Sequence, residues 1–126
     1  MGGNLDATNV TKYPSAGTYS YLDAGGEQTV IELTDGSYKM LGGIWLDLSN
    51  MTQNATIKCY YKIDGTNYRA LSVGGTVQSY AFTVADAIDG VYLDLQIGIS
   101  YDFKVTYEEG GDEGAARDIP YQIIYF

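Results

Sequence analysis

The chain has no histidine among its 126 residues. The commonest general base is missing, and with it any Ser-His-Asp or Cys-His arrangement and any histidine metal site. A single cysteine, Cys59, permits no intrachain disulfide and cannot alone form a thiolate metal site. It falls on the apolar phase of an alternating segment, which predicts a buried, inert thiol. No glycine-rich run ends in Lys-Ser or Lys-Thr as a phosphate loop requires, and no dinucleotide fingerprint follows a strand-like run. Paired carboxylates can hydrolyse glycosides, but the acids here are shared among turns and outward strand positions. Calcium needs only oxygen ligands. Glu108-Glu109-Gly110-Gly111-Asp112-Glu113-Gly114 lacks the alternating positions of a calcium loop, and Asp86-Ala87-Ile88-Asp89-Gly90 comes no closer. Both read as solvated acidic segments. The residues predict no catalytic group, no metal site, no cofactor and no enzyme.

Binding is the chemistry that remains. Thirteen tyrosines, three phenylalanines and one tryptophan are a large aromatic complement, and half-wet tyrosine rings suit both strands and interfaces. Three rings are singled out by phase: Trp45, Tyr60 and Tyr92 each stand between apolar residues of an alternating run. They are the candidate binding residues, as hot spots against a partner or as cross-strand pairs within the fold. Seven basic residues against sixteen acidic ones give a formal net charge of -9. That charge opposes phosphate backbones and anionic membranes, and it favours solubility or a basic partner surface.

The elements that must carry these rings are strands. Ile44, Leu46 and Leu48 alternate with Trp45 and Asp47. Ile57, Cys59, Tyr61 and Ile63 share one phase, as do Val91, Leu93, Leu95, Ile97 and Ile99, and likewise Tyr101, Phe103, Val105 and Tyr107. Further strands are expected around 18–22, 28–34, 67–73, 77–84 and 119–126. Asp35-Gly36, Asp64-Gly65, Asp89-Gly90, Gly25-Gly26, Gly42-Gly43, Gly74-Gly75 and Gly110-Gly111 read as turns, with a hairpin at Asp64-Gly65. Eight to nine short strands and no helical period predict an all-β, two-sheet antiparallel sandwich, jelly-roll or Ig-like. The predicted core is Ile44, Leu46, Leu48, Ile57, Cys59, Tyr61, Val91, Leu93, Leu95, Phe103 and Val105. Gly43-Ile44-Trp45-Leu46-Asp47-Leu48 is echoed by Gly90-Val91-Tyr92-Leu93-Asp94-Leu95, and 57–61 by 103–107. The echo reads either as two similar strands or as equivalent hairpins in the two halves of a sandwich.

Residues 1–16 carry no alternation and read as an N-terminal arm or tail ahead of one domain over 17–126. The stretch 108–117 reads as a long exposed loop. Sequons begin at Asn9, Asn50 and Asn54, where turn and strand-edge chemistry suffices. No signal peptide is visible, and no apolar run approaches the roughly 20 residues of a membrane helix.

The segment Glu27–Arg69 resembles small β-sandwich structural proteins of tailed phages and related viruses. The resemblance lies in Glu27-Gln28-Thr29, Trp45-Leu46-Asp47-Leu48-Ser49-Asn50-Met51, Thr56-Ile57-Lys58 and Tyr61-Lys62-Ile63-Asp64-Gly65-Thr66-Asn67-Tyr68-Arg69. It implies a virion location and a capsid decoration, cement, or head or tail accessory role. The partners would be other virion proteins, such as the major capsid protein, with no catalytic residues to carry over. A homo-oligomer, favoured as a trimer with arm contacts, is expected. A different class, a carbohydrate- or protein-binding module of a cellular system, would use the same wet rings. A start at Met and a strand-like Ile-Ile-Tyr-Phe end favour a stand-alone subunit over such a module.

Overall fold

The computed structural model of the chain describes residues 16–22, 26–34, 36–73, 76–77, 79–82 and 89–126. Within them lie eleven strands: β1 (Ala16–Tyr21), β2 (Glu27–Leu33), β3 (Lys39–Asp47), β4 (Ala55–Tyr61), β5 (Arg69–Ala70), β6 (Ser72–Val73), β7 (Thr76–Val77), β8 (Ser79–Phe82), β9 (Gly90–Ile99), β10 (Phe103–Glu109) and β11 (Arg117–Tyr125). One sheet runs β1-β11-β3-β9. The second runs β2-β10-β4-β5, and β8 also pairs with β4, while β6 and β7 pair with each other. All pairings are antiparallel.

Setting aside the two-residue strands β5, β6 and β7, the pairings are nested. β1 pairs with β11, β2 with β10, β3 with β9 and β4 with β8. The first long strand lies beside the last, the second beside the last but one, and so inward. That is one long doubled ribbon, rolled so that alternate turns of the ribbon fall in opposite sheets. It is the jelly roll, and it decides between the two sandwich types the alternation allowed.

The period-two phases are as read. Ile44, Leu46, Leu48, Ile57, Cys59, Val91, Leu93, Leu95, Phe103 and Val105 are all buried. Burial pushes the Cys59 thiol up to about 12, so almost none is thiolate at neutral pH. Four positions of these runs depart from the expected burial, and one of them, Ile97, is only partly buried beside the register shift between β3 and β9. Tyr61 is only partly buried, because its hydroxyl accepts the Ser100 and Tyr101 backbone N–H groups at the sandwich end. Ile63 and Tyr101 are exposed, because β4 stops at Tyr61 and β10 begins at Phe103. Tyr21 and Tyr107 fill the core in their place, edge to face with centroids 5.1 Å apart.

Two expected turns are built differently. Asp64-Gly65 is not a two-residue hairpin but part of the connection 62–68, where Gly65 takes φ 79° and Asp64 Oδ1 accepts the Thr66 and Asn67 N–H groups. Gly42-Gly43 is no turn at all and lies inside β3. There the Tyr92 ring covers Gly43 and the Phe126 ring covers Gly42, where an added Cβ would meet Phe126 Cζ at 2.9 Å. The strand needs residues without side chains beneath those rings.

The echoing segments do not form hairpins, since β3 does not pair with β4 nor β9 with β10. Each pair instead arches from the first sheet to the second. The arches lie antiparallel side by side, with β3 on β9 and β4 on β10. Their connections, 48–54 and 100–102, therefore fall at opposite ends of the sandwich.

The acidic loop after β10 corrects a second expectation. Glu113 is not solvated: its side chain has no exposure. Its carboxylate accepts Thr52 N–H at 3.0 Å, Thr52 Oγ1–H at 2.7 Å and Gln53 N–H at 3.1 Å, and it meets Arg117 Nε at 3.2 Å. Asn50 and Asn54 also join this end: Asn50 Nδ2 donates to Asp118 O, and Asn54 O accepts Gly110 N–H. Loop 110–116 is thereby fastened to loop 48–54. Among the described residues no group of three or more metal-ligating side chains gathers. The expected arm over 1–16 lies outside the described residues except for Ala16, which opens β1; so do Asn9, Asp35, Gly25, Gly74-Gly75 and Asp86–Ile88.

Candidate functional site: two aromatic faces

Trp45 and Tyr92 are directly opposed in the β3·β9 register, as the echo places them. Their rings stand on the outer face of the first sheet, 4.7 Å apart between centroids and tilted by 44°. Trp45 is 46% exposed and Tyr92 38%. The pair is thus a cross-strand contact within the fold and also a wet aromatic surface. β11 lies on the far side of β3, with Gln122 opposite Trp45. A groove of about 530 Å³ crosses this end of the sheet, lined by Trp45, Asp47, Ser49, Asp89, Pro120 and Gln122 among others. Asp47 Oδ1 accepts both Ser49 N–H, at 2.9 Å, and Ser49 Oγ–H, at 2.6 Å. Those bonds hold its carboxyl below the ordinary aspartate value.

Tyr60 stands elsewhere. It points outward from β4, so the second sheet carries it, and the three rings do not form one surface. Alternation reports which face of a strand is wet, but not which sheet the strand joins. Tyr60 is bound into a network of its own. Its hydroxyl and that of Thr106 both donate to Glu27 Oε2, each at 2.5 Å. Lys104 Nζ lies 5.1 Å from the Tyr60 ring centre and 4.5 Å from that of Tyr68. Lys62 stands 4.8 Å from the Tyr68 ring and 2.9 Å from Asp102 Oδ2, and Tyr68 donates to Glu32. Both rings of this face thus carry a lysine of the same chain. The sequence singled out Tyr60 but not its meeting with Tyr68, Lys104 and Glu27, which come from three other segments.

The Glu27 network sets two pH edges. Burial pushes the Glu27 carboxyl up, but hydrogen bonds from Thr106 and Tyr60, with Lys58 and Lys104 nearby, outweigh it and bring it below the usual value. Burial, and then the bonded carboxylate, push the Tyr60 phenol up to about 12. A depressed carboxyl contributes stability that is whole above its unfolded value of 4.5 and is lost as pH falls through the folded value. A raised phenol contributes stability that is whole below its unfolded value of 10.0 and is lost as pH rises to about 12. The melting-temperature gap between wild type and Glu27→Gln is therefore expected to close as the medium is acidified below 4.5. The gap to Tyr60→Phe should close on the alkaline side. Gaps that stay constant across both ranges would show that the network carries no pH-linked stability.

No protein-family model matches the sequence, and no curated protein matches it. Solved structures do share the fold. PirA is similar with a TM-score of 0.54 at 12% identity, over 90% of this chain and 95% of its own. A chain from the acidic stable capsid of Helicobacter pylori bacteriophage KHP30 gives 0.53 at 8% identity, over 90% and 86%. The Yersinia pseudotuberculosis-derived mitogen gives 0.51 at 10% identity, over 90% and 88%. At such identities the likeness establishes a common β-sandwich, which a capsid chain and two proteins of other descriptions build alike.

Proposed function

We propose that the chain is a structural subunit of a virion, a capsid decoration or cement protein or a head or tail accessory, acting by protein–protein binding without catalysis. The observation that carries this reading is the rolled sandwich shared with the KHP30 capsid chain over nearly the whole of both chains. The Glu27–Arg69 resemblance to small phage structural proteins supports it independently. So does the first sheet's outer face, where Trp45 and Tyr92 offer the ring types that anchor interfaces. The partners are other virion proteins, with the major capsid protein foremost, and further copies of the chain in a trimer. Exposed Tyr38, Met40 and Phe126, at the other end of the same sheet, give such copies apolar surface to bury.

The test is an antibody raised against the purified chain, used on density-banded particles from cultures that carry the gene. The chain is expected in the banded particles in many copies, and light scattering of the free protein should give three times the 13.7 kDa of one chain. Absence from particles would overturn the virion role, and a monomer at all concentrations would overturn the trimer.

A further inference from the structure

We infer that the groove beside Trp45 is a receptor for a basic side chain, an arginine above all, presented by a protein partner. This rests on the protein-binding role proposed above and names the chemistry of that site. The argument starts from a contrast between the two sheets. On the second sheet the rings of Tyr60 and Tyr68 are each covered by a lysine ammonium of the same chain. On the first sheet Trp45 is the ring with the strongest attraction for a cation, it is half exposed, and no described residue lining its groove is basic.

Two acidic residues line the same groove. Asp47 is two residues beyond Trp45 on the same face of β3, a spacing of about 6.5–7 Å along a strand. Asp89 lines the same groove, and its carbonyl is held to the end of β3 by Leu48 N–H at 2.6 Å. Two bonds from Ser49 occupy Asp47 Oδ1, and Oδ2 has no partner among the described residues. A guanidinium laid on the Trp45 face, within about 6 Å of its centre, would lie in the groove that Asp47 and Asp89 also line, and its N–H fork suits carboxylates. Gln122, opposite Trp45, adds an amide oxygen on the β11 side. The net charge of -9 steers a basic partner toward the surface and repels an acidic one.

The chain supplies its own probe, because Trp45 is the only tryptophan and its emission reports this groove alone. The full chain is titrated with a blocked peptide carrying three arginines spaced by Gly-Ser, and with the same peptide bearing glutamine or glutamate instead. A saturable change in Trp45 emission is expected with the arginine peptide only, weakening from about 0.05 to about 0.5 M salt. Asp47→Asn and Asp89→Asn should each weaken it about tenfold or more at unchanged melting temperature. Asp89→Asn carries the test should Asp47→Asn disturb the Ser49 turn. No response, an equal response to the glutamine peptide, or full binding by both variants would overturn the inference. A saturable response to neutral oligosaccharides in place of the peptide would assign the groove to a glycan and overturn it equally. A chain found in particles but blind to the peptide refutes this inference alone. A chain that binds the peptide but is absent from particles refutes only the virion role.

Discussion

Leu93→Ala is expected to lower the free energy of unfolding by about 2–5 kcal/mol, and Leu46→Ala by a similar amount. Both side chains are buried between the sheets, Leu93 with no exposure and Leu46 with 1%. They stand on adjacent strands, Leu93 opposite Ile44 and Leu46 opposite Val91, so a hole at either site opens beside residues that are themselves buried. Close-packed neighbours relax only partly into such a hole, which adds a cavity term to the lost transfer energy. Denaturant melts followed by circular dichroism measure the effect. Trp45→Ala and Tyr92→Ala, one residue away on the same strands, are the internal control. They remove a cross-strand ring pair worth about 0.5–1.5 kcal/mol and leave the core intact. If the ring variants lost more than the leucine variants, the strand faces would be reversed, since a slip of one residue exchanges them.

Glu113→Ala should be damaging too, although its site lies in a loop: about 1.5–3 kcal/mol, the range for hydrogen bonds to a charged group, since Arg117 is a third exposed and keeps its contact with water. The variant strips the acceptor from Thr52 N–H, Gln53 N–H and the Thr52 hydroxyl, and the countercharge from Arg117. Loops 48–54 and 110–116 lose the group that fastens them together. Asp112→Ala is the control within the same acidic run, at an exposed position. Thermal melts of the two variants decide the matter. Equal, small effects would mean that the loops hold together without the Glu113 carboxylate.

Period two made the core legible in the sequence. Strands buried on one face print that alternation directly, and the phases at 44–48, 57–59, 91–95 and 103–105 hold in the structure. The pattern failed where strands end, at Ile63 and Tyr101, because alternation can run past the last ladder hydrogen bond into a turn. It failed at Gly42-Gly43 because two adjacent glycines look like a turn unless the covering rings, Tyr92 and Phe126, are known to lie above them. The Trp45–Tyr92 contact was half visible, since the echo made the two positions equivalent but could not say that they meet. Glu113 was hidden in a run of acids that reads as solvated, because its partners at Thr52 and Gln53 lie some sixty residues away in the chain. Tyr60 was placed on the correct phase, but the sheet that carries it was not legible, because sheet membership is set by the roll of the ribbon.

The nested pairing also fixes the order in which entropy favours forming the sheets. Ala55 meets Phe82 across a short stretch of chain, whereas Ala16 meets Gln122 across almost its entire length. Closing a loop becomes more unfavourable as its length grows, but a pairing already made shortens every loop outside it. Zipping outward from β4·β8 through β3·β9 and β2·β10 to β1·β11 keeps each successive closure small. Starting from the outermost pair would demand the largest closure first. The middle of the chain is thus the nucleus that topology prefers, and β1 and β11 are the closing seam, so the chain stays open to water along its two ends until the rest of the sandwich is made.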